Sequence, residues 1–506
     1  MLGPVPDRVV PTRWMVLLLA ATIWVVFSPG LNRVFATEQL WYFAELEGDT
    51  SLGAGLRHYD YAATRQYWKG DDALFRPLLF VWLAMSATLL TYHHIWWNLV
   101  GLTLHLVAGV AFYRCLLAIQ PSRAAAPFTL LFVVSLASIE LVLWNHLGGY
   151  LVAWILFLIG LRALVLLTRD HEGPPSVGTA AYVVPMTAAC FLHEVMVPVA
   201  LLGGVLLVRH QREKGRGVPA LAMVLWMMPV LLFAFFYGLH LLRVERPAYV
   251  DARPGGLFVL RSVALLLPKA VMAAGRWTID VVLPAAVELR AAPFELYVKG
   301  LALEGRAAGV AVNAALLVAA GVLFLRLGAW QPLRRRAPVA VLLVGTLLAY
   351  AFVLAIGRQL SDMVGVAYYL YPVNLVVLLL AYTALDASRL RGRTAWAAAL
   401  VLAGVVAINA VGTRTAAVAL GAANGPASDY LARVAAFVDA RKGPDFKFHV
   451  INASGSVDPL VPLRLGYPDA RPEPVTERRT TEILFRPYYS ESPEAEVLDA
   501  RGLMER

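Results

Sequence analysis

Between Trp14 and Thr413 the chain passes through one apolar run after another, most of them 15 to 25 residues long and parted by short charged connections. A helix needs about 20 apolar residues to cross the hydrocarbon of a bilayer. In lipid only helices and closed barrels leave no backbone group unpaired. The runs therefore predict an all-α polytopic membrane protein, with spans near 14–28, 77–91, 96–118, 127–144, 149–168, 179–208, 218–242, 307–326, 337–356, 367–385 and 395–413. The stretch 257–306 is broken by Arg261, Pro268, Lys269 and Pro284. It reads as two short helices or as an interfacial, re-entrant segment, which gives 11 or 13 crossings.

Charge supports this class and limits the others. Only 15% of the 506 residues are charged against 59% apolar, where a soluble domain is nearer a quarter charged. The net charge of +10 does not indicate nucleic-acid binding, because the basic residues fall in short clusters between apolar runs. Cys115 and Cys190 both sit inside apolar runs and offer neither a disulfide framework nor metal-ligand spacing. Arg8 and Arg13 precede the first run, no small-residue cleavage site follows it, and a retained first span is the better reading.

Lys and Arg in short loops set orientation. The clusters Arg209, Arg212, Lys214 and Arg216, then Arg326 with Arg334 to Arg336, then Arg389, Arg391 and Arg393, are assigned to the cytoplasm together with the N-terminus. This leaves the long loop 29–76 and the C-terminal tail on the extracytoplasmic side. The domain division is 1–415 for the membrane domain and 416–506 for a small extracytoplasmic α/β module. In that module Asp429 to Ala440 reads as a helix, and Phe446 to Ile451 and Thr480 to Phe485 read as strands. The Ala/Arg/Gly-rich usage leans toward a bacterial inner membrane.

Loop 29–76 carries the chemistry-bearing residues. Glu38 lies about ten residues beyond the first span, close to the membrane surface, where apolar neighbours can tune a carboxylate toward general-base work. Arg76 precedes Pro77 at the head of the next apolar run, and its planar fork suits two phosphate oxygens. On position alone an interfacial anchor is the commoner role for such an Arg. His105 reads as a packed intramembrane polar group, and Glu140 as a carboxylate reaching the cytoplasmic interface. Asn452-Ala-Ser454 matches a glycosylation sequon, a pattern short enough to occur by chance.

Taken in order, an early acidic loop residue, Tyr67-Trp68-Lys69-Gly70, Phe75-Arg76-Pro77-Leu78 and a helix bearing His94, Asn98 and His105 resemble the GT-C glycosyltransferases. The set is most similar to the protein O-mannosyltransferases and their tetratricopeptide-bearing relatives. His193-Glu194 resembles a Lys-Glu or His-Glu pair found in that family, and Tyr368-Tyr-Leu-Tyr371-Pro372 its aromatic segment near the last spans. The resemblance covers roughly 1–415. It implies a GT-C-like fold whose outward-facing cavity accepts a polyprenyl-phosphate-linked sugar and passes the sugar to an acceptor, with inversion. The catalytic carboxylate maps onto Glu38. Arg76, Lys69 and Arg358 are the candidates for the donor phosphate, with Tyr67, Trp68, His193, Glu194, Tyr368 and Tyr371 lining the cavity.

The family usually has Asp, often paired with a second acid, where this chain has Thr37-Glu38, and the tetratricopeptide repeats are absent. A non-catalytic scaffold or partner subunit of a membrane complex is accordingly the second reading, and a transporter of lipid-linked substrates the third. Asp71 and Asp72 are adjacent and their side chains diverge, so no obligate metal or other cofactor is expected.

Overall fold

A computed structural model of the full chain describes residues 9–33, 51–54, 75–91, 93–143, 147–169, 175–215, 219–243, 266–268, 270, 272–273, 286–289, 296–299, 330–357, 367–385 and 392–451, and toward the C-terminus 485, 488, 490, 492 and 494–499. Helices α1 (Thr12–Phe27), α2 (Pro77–Leu90) and α3 (His94–Ile119) come first. They are followed by α4 (Ala125–Val134), α5 (Ile139–Leu143) and α6 (Gly148–Leu167), then α7 (Pro175–Leu192), α8 (Met196–Glu213) and α9 (Ala220–Arg243). Beyond the strands β1 (Ala286–Leu289) and β2 (Leu296–Lys299) come α10 (Trp330–Arg335), α11 (Ala337–Gly357), α12 (Ala367–Ala384) and α13 (Gly392–Arg441). Among the described residues six helices are long and apolar enough to cross a membrane. The bent pair α4 and α5 makes a seventh, and α2, α7 and α12 are shorter apolar helices.

Side-chain contacts fix how these helices run. Tyr113 donates to the Val10 carbonyl at 2.5 Å, and Asn98 donates to the carbonyls of Leu31 and Arg33 at 2.7 and 2.9 Å. Helix α3 therefore runs antiparallel to α1. Arg169 donates to the Ile119 carbonyl at 2.6 Å, which aligns the C-terminal ends of α3 and α6. Arg336 donates to Gln120 at 2.6 Å and to the Thr383 carbonyl at 2.8 Å, and Tyr382 donates to the Gln120 carbonyl at 2.6 Å. One end of the bundle thus gathers Arg169 and Arg336 around Gln120. The other carries Leu31, Arg33, His93 and Tyr150, and is called the loop end.

Two expected spans change in this arrangement. Helix α2 begins beside Tyr150 and ends three residues before α3 starts, so both of its ends lie at the loop end and it does not cross. The apolar run 179–208 is two helices, since Tyr182 of α7 donates to the Ala200 carbonyl of α8 at 2.9 Å. That bond requires the chain to fold back at His193, Glu194 and Val195. The two differences cancel in the alternation, which is why Arg209, Arg212 and Lys214 still share one end with Arg334 to Arg336. Glu140, expected at the cytoplasmic interface, lies instead at the loop end with Leu143, whose side chain abuts Gly30.

The bend between α4 and α5 is 55° and sits at Ser135, whose backbone is extended (φ −61°, ψ 136°). A break at membrane depth frees carbonyls, and each must find a donor. His105 Nε2 lies 3.0 Å from the Val133 carbonyl, and Thr413 donates to that of Val134 at 2.7 Å. The Phe132 carbonyl receives Asn374 at 3.3 Å and Ser138 at 3.2 Å. Three helices therefore supply the missing partners from buried polar side chains. Close backbone approach also needs bare positions. A β-carbon on Gly101 would run into the Val142 carbonyl, and one on Gly421 into that of Pro29.

Short strands occupy part of the stretch for which two short helices were considered. Strands β1 and β2 pair antiparallel with Ala286 opposite Lys299. An open two-stranded edge has no place in hydrocarbon, so this hairpin lies outside it. The expected tail helix is not a separate element, because α13 continues from the last span to Arg441. Beyond it β3 (Phe448–Ile451) pairs in parallel with β4 (Glu496–Asp499), over a cluster of Val434, Val438, Phe448 and Leu498. The anticipated partner strand at 480–485 lies outside the described residues except for Phe485, which is in a turn. Arg441 stacks 3.9 Å from the Phe437 ring centroid and pairs with Glu496 at 3.2 Å, tying the helix end to the strands.

Single cysteines test the non-crossing α2. An impermeant maleimide applied to sealed vesicles labels His93→Cys and Asp439→Cys from the same side and Arg209→Cys only from the other. Labelling of His93→Cys together with Arg209→Cys would restore a crossing α2. Thr413→Val leaves the Val134 carbonyl unpaired and lowers stability by about 1–3 kcal/mol, measured by thermal unfolding in detergent.

Candidate functional site

Arg76 is held by its own backbone setting. It is the N-cap of α2, and Pro77 occupies the first helical position, where its lack of an N–H costs nothing. The preceding Phe75 is buried against Phe191, Phe233 and Tyr237, with ring centroids 5.7 to 6.0 Å apart. This aromatic anchor fixes the segment to α7 and α9 and turns the guanidinium toward the α7–α8 turn.

There Nε and Nη2 of Arg76 donate to the two carboxylate oxygens of Glu194, and Nη1 donates to the Tyr150 hydroxyl. The guanidinium also lies 5.5 Å from the Tyr150 ring centroid. His193 packs edge-on to Tyr150 at 5.0 Å, with its Nδ1 3.5 Å from Glu194. Burial pushes the Glu194 carboxyl upward, but Arg76 and His193 outweigh it and hold it well below the carboxylate range. Burial also keeps His193 below its ordinary value in spite of Glu194. At neutral pH the group is thus an arginine–carboxylate pair beside a neutral imidazole.

A second polar group lies at the same end. Arg33, directly after the first span, is fully buried, as are Asn98 of α3 and Glu140 of α5. None of the three Arg33 guanidinium nitrogens, nor Oδ1 of Asn98, has a hydrogen-bond partner among the described residues. Burial pulls the Arg33 guanidinium down to about 10, against the support of the Glu140 charge.

Other expected site residues take different places. Tyr371 is fully buried, with its hydroxyl 3.3 Å from Nδ1 of His105 and its ring against Phe132. Since the Val133 carbonyl can only accept, Nε2 of His105 carries the hydrogen and Nδ1 accepts from Tyr371. Tyr368 lies in α12 with its side chain outside the described residues, and Glu38, Tyr67, Trp68, Lys69 and Arg358 fall outside them as well. Among the described residues no three His, Cys, Asp or Glu side chains are grouped as metal ligands would be. Sequence reasoning missed Tyr150 and Arg33. The position of Arg33, a charge at the very end of an apolar run, was its one available signal.

No model of a known protein family matches the chain, and no curated protein matches it in sequence. Among solved structures, the chain is similar to ArnT from Cupriavidus metallidurans bound to undecaprenyl phosphate. The TM-score is 0.44 at 14% identity, over 97% of this chain and 91% of that one. It is similar also to the apo state of the same protein, with a TM-score of 0.43 at 13% identity, over 96% of this chain and 86% of the other. A likeness this loose assigns no role to any residue.

Replacing Glu194 by Gln strips the counter-charge from a largely buried guanidinium and lowers stability by about 1.5–3 kcal/mol, whereas Tyr150→Phe costs about 0.5–1.5 kcal/mol. Melting temperatures of the two variants in detergent, ranked against the wild type, check the order.

Proposed function

We propose that the chain is a membrane glycosyltransferase that takes a sugar from a polyprenyl-phosphate donor and passes it to an acceptor at the loop end, on the extracytoplasmic side. The observation that carries this reading is the gathering of Arg76, Tyr150, His193 and Glu194 at the loop end, where the segment after loop 29–76 re-enters the bundle. Ionisable groups inside membrane domains are costly and mark substrate sites more often than packing. The basic residues Arg169, Arg209, Arg212, Lys214 and Arg336 belong to the opposite end. That distribution supports placing the loop end outside the cytoplasm, with the N-terminus inside and a bacterial inner membrane as the host.

In the proposed reaction Glu38 removes the proton of an acceptor hydroxyl while that oxygen bonds to the anomeric carbon. The bond from that carbon to the phosphate oxygen breaks, its electron pair leaves with the phosphate, and the configuration inverts. Charge grows on the departing polyprenyl phosphate, so fixed cations nearby lower the barrier. Lys69, Arg358 and Arg76 are the proposed donors. Glu194 and Tyr150 keep Arg76 from swinging to lipid headgroups, a positioning role. No metal is assigned to the step.

The test is release of polyprenyl phosphate from radiolabelled polyprenyl-phosphate sugars by purified protein in nanodiscs. Glu38→Gln lowers release by at least about 100-fold if it is the general base. Arg76→Lys, which keeps the charge and loses the fork, lowers it less. Undiminished release by Glu38→Gln removes that residue from the mechanism, and no release from any donor by folded wild type sinks the transferase reading.

A further inference from the structure

The end of the bundle opposite the loop end carries arginines that the transferase reading leaves unused, and two of them stand inside spans. Arg114 is five residues before Ile119, the end of α3, and Arg162 is five residues before Leu167, the end of α6. At 1.5 Å per residue each leaves its helix about 7–8 Å short of the end. The bond from Arg169 to the Ile119 carbonyl aligns those two ends, so both side chains start at one depth.

Helix periodicity turns both toward one groove. On α3, Phe112 stacks on Phe132 of α4, and Tyr113 reaches Val10 beside α1. Arg114 lies about 200° round from Phe112, on the outward side, and is exposed. On α6, Gly160 abuts Met186 and Tyr182 of α7. Arg162, about 200° further round, takes the flank away from α7, where α3 packs, and is partly buried there. Toward mid-membrane the exposed Val107 and Ile159 continue the two faces.

A charge within a span calls for a partner. Between Thr12 and Arg243 the described carboxylates are Glu140, Glu194 and Glu213. Glu194 holds Arg76, Glu213 holds Arg209 at 2.7 Å, and Glu140 lies at the loop end. Among the described residues, therefore, no carboxylate pairs with Arg114 or Arg162. What completes the two must bring negative oxygens into a groove with apolar walls. A free anion would lose its hydration at that depth. A phospholipid brings its phosphate on acyl chains that suit those walls, and a zwitterionic headgroup would add a third cation to the two already there.

We propose that the α3–α6 groove at this end binds an anionic phospholipid, its phosphate held by Arg114 and Arg162 and its acyl chains laid along Val107 and Ile159. Two planar forks on adjacent helices match the oxygens of one phosphate. The site is independent of the transferase reading.

The full-length protein in detergent is titrated with phosphatidylglycerol and with phosphatidylcholine, and retained lipid is counted by native mass spectrometry. The wild type holds one phosphatidylglycerol at least about tenfold more tightly than phosphatidylcholine. The double variant Arg114→Gln with Arg162→Gln loses that preference, whereas Arg209→Gln on α8 keeps it. Should the double variant not fold, Arg114→Gln alone, at an exposed position, lowers the preference by about threefold or more. Inorganic phosphate in large excess leaves the bound lipid in place. Displacement of the lipid by that phosphate, equal retention of both lipids by the wild type, an undiminished preference in the folded variants, or an equal loss in Arg209→Gln each overturns the site.

Discussion

The break at Ser135 is the constraint on which the rest of the bundle depends. A continuous helix through 125–143 would keep its carbonyls to itself and need nothing from its neighbours. Once it bends by 55°, the carbonyls of Phe132, Val133 and Val134 need donors in a medium without water. His105, Asn374 and Thr413 provide them from α3, α12 and α13. The bend therefore dictates which helices surround α4 and in what register.

The two polar groups at the loop end differ in electrostatic character. Arg76 and Glu194 form a closed pair in which each satisfies the other, with Tyr150 completing the guanidinium and His193 bordering the carboxylate. A group of this kind stiffens the junction between α2, α6 and the α7–α8 turn. The Arg33 guanidinium is fully buried, and its three nitrogens have no hydrogen-bond partner among the described residues.

Much of the membrane class was legible in the sequence. Length and polarity of the apolar runs locate most of the helices, and Arg209, Arg212, Lys214 and Arg334 to Arg336 do gather at one end. The departures came where hydropathy is blind to direction. Residues 77–90 are apolar enough to span, yet α2 is attached at both ends to the same side. Residues 179–208 read as one span, yet His193-Glu194 is a turn, because two ionisable residues are cheaper at a polar junction than in mid-membrane. His105 was read as a packed polar group and is one. Its partner, the Val133 carbonyl, is exposed only by a break that no local propensity announced.

By itself the sequence determined the class and the residue types available for chemistry, since these follow from transfer free energies that depend on composition and spacing. The tertiary structure decided which of those residues meet. Arg76 with Glu194 are 118 positions apart and His105 with Tyr371 are 266 apart. Such pairings depend on how helices cross and where one is broken. In a bilayer, where apolar surfaces meet lipid as readily as each other, close packing and the pairing of buried polar groups settle that geometry.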